Sequence, residues 1–170
     1  IDGARLGYGL TSPACDLSFK EFAALCDVFY IGGTKQGTLF GEALVVNDES
    51  LDRDFRYNIK QNGGMLAKGR LLGIQFDALF TDDLYCKISR HAIDMAEKMK
   101  VIFKQKGYPF FLESPTNQQF VIMENETMKR LAETVVFSIW EAYDETHTVV
   151  RFVTSWATQP ESVKALEALL

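Results

Sequence analysis

The sequence predicts the α/β class, in the form of the end of a mixed α/β sheet followed by a small α+β layer led by a long helix. Three observations predict it. Two apolar runs of strand length, DVFYI at 27–31 and GEALVV at 41–46, flank a glycine-rich turn. A proline-free stretch from about Ala67 to Lys106 is rich in Leu, Ala, Met and Lys, and Gly107 supplies its stop. From Tyr108 onward the runs YPFFLES, NQQFVIM and TVVRFVT alternate apolar and polar residues between segments of helical spacing.

The chain has 170 residues, of which 47% are hydrophobic, with 13 Phe and 6 Tyr, so a sizeable core is available and disorder is excluded on composition. A net charge of -5 argues against a nucleic-acid partner. No apolar run reaches membrane-spanning length, and no charged segment leads into an apolar one at the start; the expectation is a soluble, cytoplasmic protein with no membrane partner. Cys15, Cys26 and Cys86 lack CxxC spacing and read as free thiols rather than a disulfide framework or a zinc site. Ile1-Asp2-Gly3-Ala4-Arg5 has no initiator methionine and runs from an apolar residue straight into a polar turn, which reads as the cut end of a strand.

Taken in order, Ser18 to Cys26 opens with a serine cap, places Glu21 three residues on and keeps Phe19, Phe22, Ala23 and Leu25 on one face, so it reads as a short helix. Asp27–Ile31 and Gly41–Val46 read as strands, and Asn47–Tyr57 as one charged surface helix. The stretch from 67 to 106 reads as one bent helix or two consecutive ones, with a break near Asp82-Asp83. Beyond it the pattern is an antiparallel sheet with helices on one side, and Pro160 sits at the first position of the last helix. The domain division is placed near residue 80, giving residues 1–80 and 81–170.

Three charged residues at or beside strand ends invite chemistry: Asp2 in IDGAR, Lys35 in GGTKQG and Arg151 in TVVRFVT. A lysine amine attacks an aldehyde only when a fraction is unprotonated, which partial burial or a nearby cation provides, and the flanking glycines would let the backbone pass close to a planar ligand. The plain alternative is a surface lysine in a turn. Asp2 could hold a pyridine nitrogen protonated, or simply bond its own backbone. Arg151, inside an apolar strand, needs a partner or a cavity, and its fork suits a substrate carboxylate; the alternative is an edge-strand arginine reaching solvent. His91 and His147 read as solvated residues rather than as a catalytic base.

IDGARLGYGL, DVFYIGGTKQGTLFGEALVV, NGGMLAKGRLLGIQFDALF and VVRFVTSWAT, in this order, resemble the C-terminal half of the threonine aldolase and β-eliminating lyase family, pyridoxal-phosphate enzymes of fold type I. The similarity covers essentially the whole chain. It implies Lys35 as the Schiff-base lysine, Asp2 as the partner of the pyridine nitrogen, and Arg5 with Arg151 as the clamp on the substrate carboxylate. Lys60, Lys68 or Arg70 could reach the cofactor phosphate. The resemblance implies cleavage of the Cα–Cβ bond of a β-hydroxy amino acid, threonine or allo-threonine, to glycine and acetaldehyde, with no metal ligands in the site. β-Elimination or transamination on the same scaffold, or a non-catalytic module, stays open. It further implies a homodimer or homotetramer with the site near the subunit interface, and a phosphate-cradling turn and stacking group in an N-terminal half outside this chain, so that this polypeptide alone would be inactive. The family pattern differs at Thr34, where many relatives carry serine.

Overall fold

Directly after Arg5 the chain closes a short helix, α1 (Leu6–Leu10), and Ser18 then starts α2 (Phe19–Ala24). The Ser18 hydroxyl accepts from Glu21 N at 3.2 Å while the Glu21 carboxylate accepts from Ser18 N at 2.8 Å, so two donors at the helix start are satisfied reciprocally as the sequence predicts. The computed structural model describes residues 1–170, and the chain divides into two compact units: Ile1–Thr11 with Cys15–Ile88, and Ser12–Ala14 with Ser89–Leu170. The division falls inside a helix.

In the first unit, β1 (Val28–Gly32) pairs antiparallel with β2 (Glu42–Val46), with Gly32 opposite Glu42 and Val28 opposite Val46. Residues 1–3 run along the free side of β1 in the same direction, since Tyr30 N bonds Ile1 O and Gly32 N bonds Gly3 O. Phe29 and Ile31 on one face of β1 enter a core with Phe76, Leu79 and Tyr85, while Tyr30 points to the other face. That core is aromatic. Phe19 meets Phe29, Phe80 and Tyr85 edge-on at 6.0 to 6.4 Å, geometry worth about 0.5–1.5 kcal/mol per pair beyond area burial.

Asn47–Tyr57 is not one helix. Asp48 caps a single 3-10 turn at Glu49–Leu51, the chain then breaks at Asp54 (φ 56°), and α3 runs from Phe55 to Gln61. The three aspartates at 48, 52 and 54 favour caps and turns over helix interior, which is why the charged run breaks. The stretch read as 67–106 is two helices, α4 (Arg70–Phe80) and α5 (Leu84–Gln105), split where Asp82 (φ 52°) and Asp83 (φ 58°) turn left-handed. Gly107, at φ 81°, ends α5.

The second unit is a four-stranded antiparallel sheet in the order β3 (Phe110–Leu112), β4 (Gln118–Glu124), β6 (His147–Val153) and β5 (Ser138–Ala142). The strand β5 has no counterpart in the sequence reading: SIWEA leaves four of its five residues exposed and so lacks an apolar alternation. Alternate residues divide the sheet. Val121, Met123, Val150 and Phe152 pack against Met95, Met99, Ile102 and Phe103 of α5, Leu131 of α6 (Asn125–Ala132), and Val163 and Leu166 of α7 (Pro160–Leu169). Phe120, Ile122 and Val149 form a separate small cluster on the opposite face. The expected helices on one side of an antiparallel sheet are therefore present.

Candidate functional site

Asp2 is placed by the backbone beside it. The Gly32 N bond to Gly3 O, at 2.9 Å, brings residues 1–4 against β1 so closely that a Cβ on Gly32 would lie 2.6 Å from the Ala4 carbonyl oxygen. Tyr30, the outward residue of β1, donates its hydroxyl to Asp2 Oδ1, which also accepts from Ala4 N at 3.0 Å. Chiefly the Tyr30 bond, then the Ala4 N–H, and to a smaller extent the positive charge of Lys35, hold the Asp2 carboxyl below its usual range. The phenol of Tyr30 is correspondingly pushed up to about 12, first by its bond to Asp2. Both bonds fall on Oδ1, so Oδ2 of an ionised, exposed carboxylate stays available to a ligand cation.

Lys35 stands on the tight turn that follows β1. Gln36 N and Thr38 N both bond Gly33 O, at 2.8 and 3.1 Å. The turn is fixed from beneath: Tyr8 donates its hydroxyl to the Lys35 carbonyl, and the fully buried Gln36 side chain accepts from the Tyr85 hydroxyl at 2.9 Å and from Gly7 N at 3.3 Å. Burial pushes the Tyr85 phenol up, so it remains a donor. The Lys35 side chain is exposed and forms no ion pair, in contrast to the partial burial its chemistry invites. The glycines also have another use than the one read from sequence. Gly32 abuts Ala4, and a Cβ on Gly33 would lie 2.8 Å from Gly41 O, so these residues are small where chain meets chain.

Arg5 is half-buried at the start of α1 and shares with Asp2 an open depression of about 420 Å³ whose far wall is Leu10, Leu17 and Phe22. Asp2, Arg5 and Lys35 thus belong to the first unit, and Arg151 to the second. Arg151 is not an edge-strand residue. It lies on the interior strand β6, opposite Phe120 on one side and Ser138 on the other, on the sheet face turned away from the helices. Neither Arg5 nor Arg151 has an acidic partner within ion-pair distance. Two unpaired guanidinium groups can bind anions. Lys60 in α3, Lys68 before α4 and Arg70 at its start are exposed and free of ion pairs, and nothing in their surroundings selects one.

The histidines are occupied. His91 is half-buried rather than fully solvated, and its Nε2 lies 2.7 Å from the Thr158 carbonyl, tying α5 to the loop before α7. His147 contacts Asp144, whose carboxyl is lowered to about 2, chiefly by the Thr146 backbone N–H.

Sequence reasoning missed Tyr30, Gln36, Gln118 and Ser138. Tyr30 had a signal, as the one polar-tipped residue between Phe29 and Ile31; Gln36, inside a polar turn, had none.

An ionised aspartate beside β1, within electrostatic reach of an exposed lysine on the turn that follows that strand, is an acid and an amine of the kind a pyridoxal ring requires. Comparison with known proteins runs the same way. The chain matches over 99% of its length, at 38% identity and a TM-score of 0.94, a structure of Leishmania major threonine aldolase, of which it covers 49%. The chain resembles the threonine aldolases. Two low-specificity L-threonine aldolases, from a Pseudomonas species and from Pseudomonas aeruginosa, are each 27% identical over 99% and 98% of this threonine aldolase-like chain. The chain spans about half the length of these relatives, 48% and 47%. A Sphingomonas wittichii serine palmitoyltransferase, 14% identical with a TM-score of 0.66 over 99% of the chain, shares the fold. The fold is that of fold type I pyridoxal-phosphate enzymes. No family model matches the chain.

Proposed function

We propose that these residues serve a pyridoxal-phosphate-dependent lyase that cleaves the Cα–Cβ bond of a β-hydroxy amino acid, yielding glycine and acetaldehyde from threonine or allo-threonine. The observation that carries the proposal is the match along almost the whole chain to the Leishmania major threonine aldolase. When bound, the cofactor's ring supplies a sink for the electrons left on Cα as the bond breaks. Asp2 holds a proton on the ring nitrogen, and its lowered pKa keeps the carboxylate charged for that purpose. Lys35 offers its amine to the cofactor aldehyde, and the bonds of Tyr8 and Gln36 beneath the turn fix the backbone from which that amine reaches. Arg5 and Arg151, each without an acidic partner, are each suited to hold the substrate carboxylate.

In the protein at its full natural length, borohydride reduction with cofactor bound, followed by peptide mapping, should label Lys35. Label at another lysine, or at none, overturns the assignment. Threonine should give glycine and acetaldehyde; pyruvate and ammonia from serine or cysteine would instead assign β-elimination.

A further inference from the structure

Arg151 is held by neutral groups. Its Nη1 donates to Gln118 Oε1 at 3.2 Å and its Nη2 to Ser138 Oγ at 3.3 Å, while the Trp140 ring lies 5.6 Å from the guanidinium carbon. Phe120 braces that ring edge-on at 5.0 Å. The Nε–H is buried and has no partner. A buried donor without an acceptor is costly, and more so on a charged group. The arrangement therefore fixes the plane of the guanidinium and leaves both its charge and one N–H unanswered.

Gln118 is itself held in place. The residues on either side, Asn117 and Gln119, are fully buried and point to the other face, where Asn117 Nδ2 bonds the Thr154 carbonyl and Gln119 Nε2 the Thr116 carbonyl, both at 2.7 Å. Alternation along β4 then directs Gln118 toward Arg151. We propose that Gln118, assisted by Ser138, is a positioning residue for carboxylate recognition: it fixes the Arg151 fork without neutralising it, so the charge is reserved for the ligand. An acid at this position would satisfy the guanidinium from within the chain. This inference rests on the reading of Arg151 as the carboxylate anchor.

The test compares Gln118→Glu, Gln118→Leu and Arg151→Lys in the protein at full natural length with cofactor bound. Calorimetry measures the dissociation constants of glycine and of methylamine, which is glycine without its carboxylate. Gln118→Glu should shrink the preference for glycine by about 10- to 100-fold, the range for a charged hydrogen bond, and Gln118→Leu should shrink it less. If both Gln118 variants keep the preference while Arg151→Lys loses it, Gln118 has no positioning role and Arg151 remains the anchor. If Arg151→Lys keeps it too, the anchor itself is wrong. Parallel weakening of glycine and methylamine, with a lowered melting temperature, would make Gln118 merely structural and overturn the inference.

Discussion

In the first unit the candidate residues stand on turns, and in the second the candidate stands in the middle of a strand. Asp2 and Lys35 are set by main-chain bonds, Gly32 N to Gly3 O and Gln36 N to Gly33 O, with side chains only bracing them. Arg151 is set by side chains alone, Gln118, Ser138 and Trp140, on a strand whose main chain is paired on both sides. The difference has a physical origin. An exposed amine and carboxylate are hydrated wherever they stand, so a turn can carry them, whereas a half-buried guanidinium needs acceptors built around it. The two regions should accordingly fail in different ways.

The largest expected effect separates them by stability. Phe103 is fully buried on α5, with Phe152 at 4.9 Å, Tyr108 at 5.7 Å and Phe110 at 6.3 Å around its ring. Phe103→Ala should cost about 3–5 kcal/mol, as large-to-small changes of buried aromatics do. Denaturant unfolding would read the loss, and a spectroscopic titration of Tyr30 run in parallel should be unchanged, because the Asp2 turn draws nothing from that core. A Tyr30 titration that moved with Phe103→Ala would show that the two regions are one cooperative system and would break the comparison.

A smaller effect belongs to the first unit. Gly32→Ala places a methyl 2.6 Å from the Ala4 carbonyl oxygen and 2.7 Å from its Cα, where backbone rather than a flexible side chain must give way. The cost should be about 1–3 kcal/mol, and residues 1–4 should shift from β1, separating Asp2 from Tyr30. Loss of the raised Tyr30 titration together with weakened cofactor binding is the expected result. Retention of both would mean that the close approach does not position the acid.

What was legible in the sequence follows the same line. Ser18 with Glu21, the left-handed break at Asp82-Asp83, Gly107 and Pro160 act locally, so their residues announce the structure they make. The order of Asp2, Lys35 and Arg151 was legible through resemblance; Lys35 stands on the turn after β1 as expected, whereas Asp2 lies in an extended segment beside β1 and Arg151 inside β6 rather than at strand ends. Ser138–Ala142 was hidden because that strand is held by its ladder to β6 rather than by an apolar face. The burial of Gln36 was hidden because its partners, Gly7 and Tyr85, lie 29 and 49 residues away. The close approach of Gly32 to Ala4 is of one kind with these: a glycine shows that something comes close, and only the folded chain shows what.

The smallest effect is the most specific to the candidate site. Tyr30 is half-buried, and its titration near 12 rather than near the ordinary 10.0 reflects first its bond to the Asp2 carboxylate and then its burial. The sign is fixed by linkage: a phenol whose folded pKa is raised contributes stability that is present below about 10 and is lost as the pH rises through about 12. For Asp2 the direction reverses, since a carboxyl held below 3.8 contributes above that value and loses its contribution as the pH falls through the lowered one. Tyr30→Phe should let the Asp2 carboxyl titrate closer to 3.8 by carbon NMR, and Asp2→Ala should bring the Tyr30 phenol back toward 10.0. If Tyr30 ionises together with the exposed tyrosines in the unmodified chain, the two groups do not meet in solution, and Asp2 has lost the contact that lowers its carboxyl.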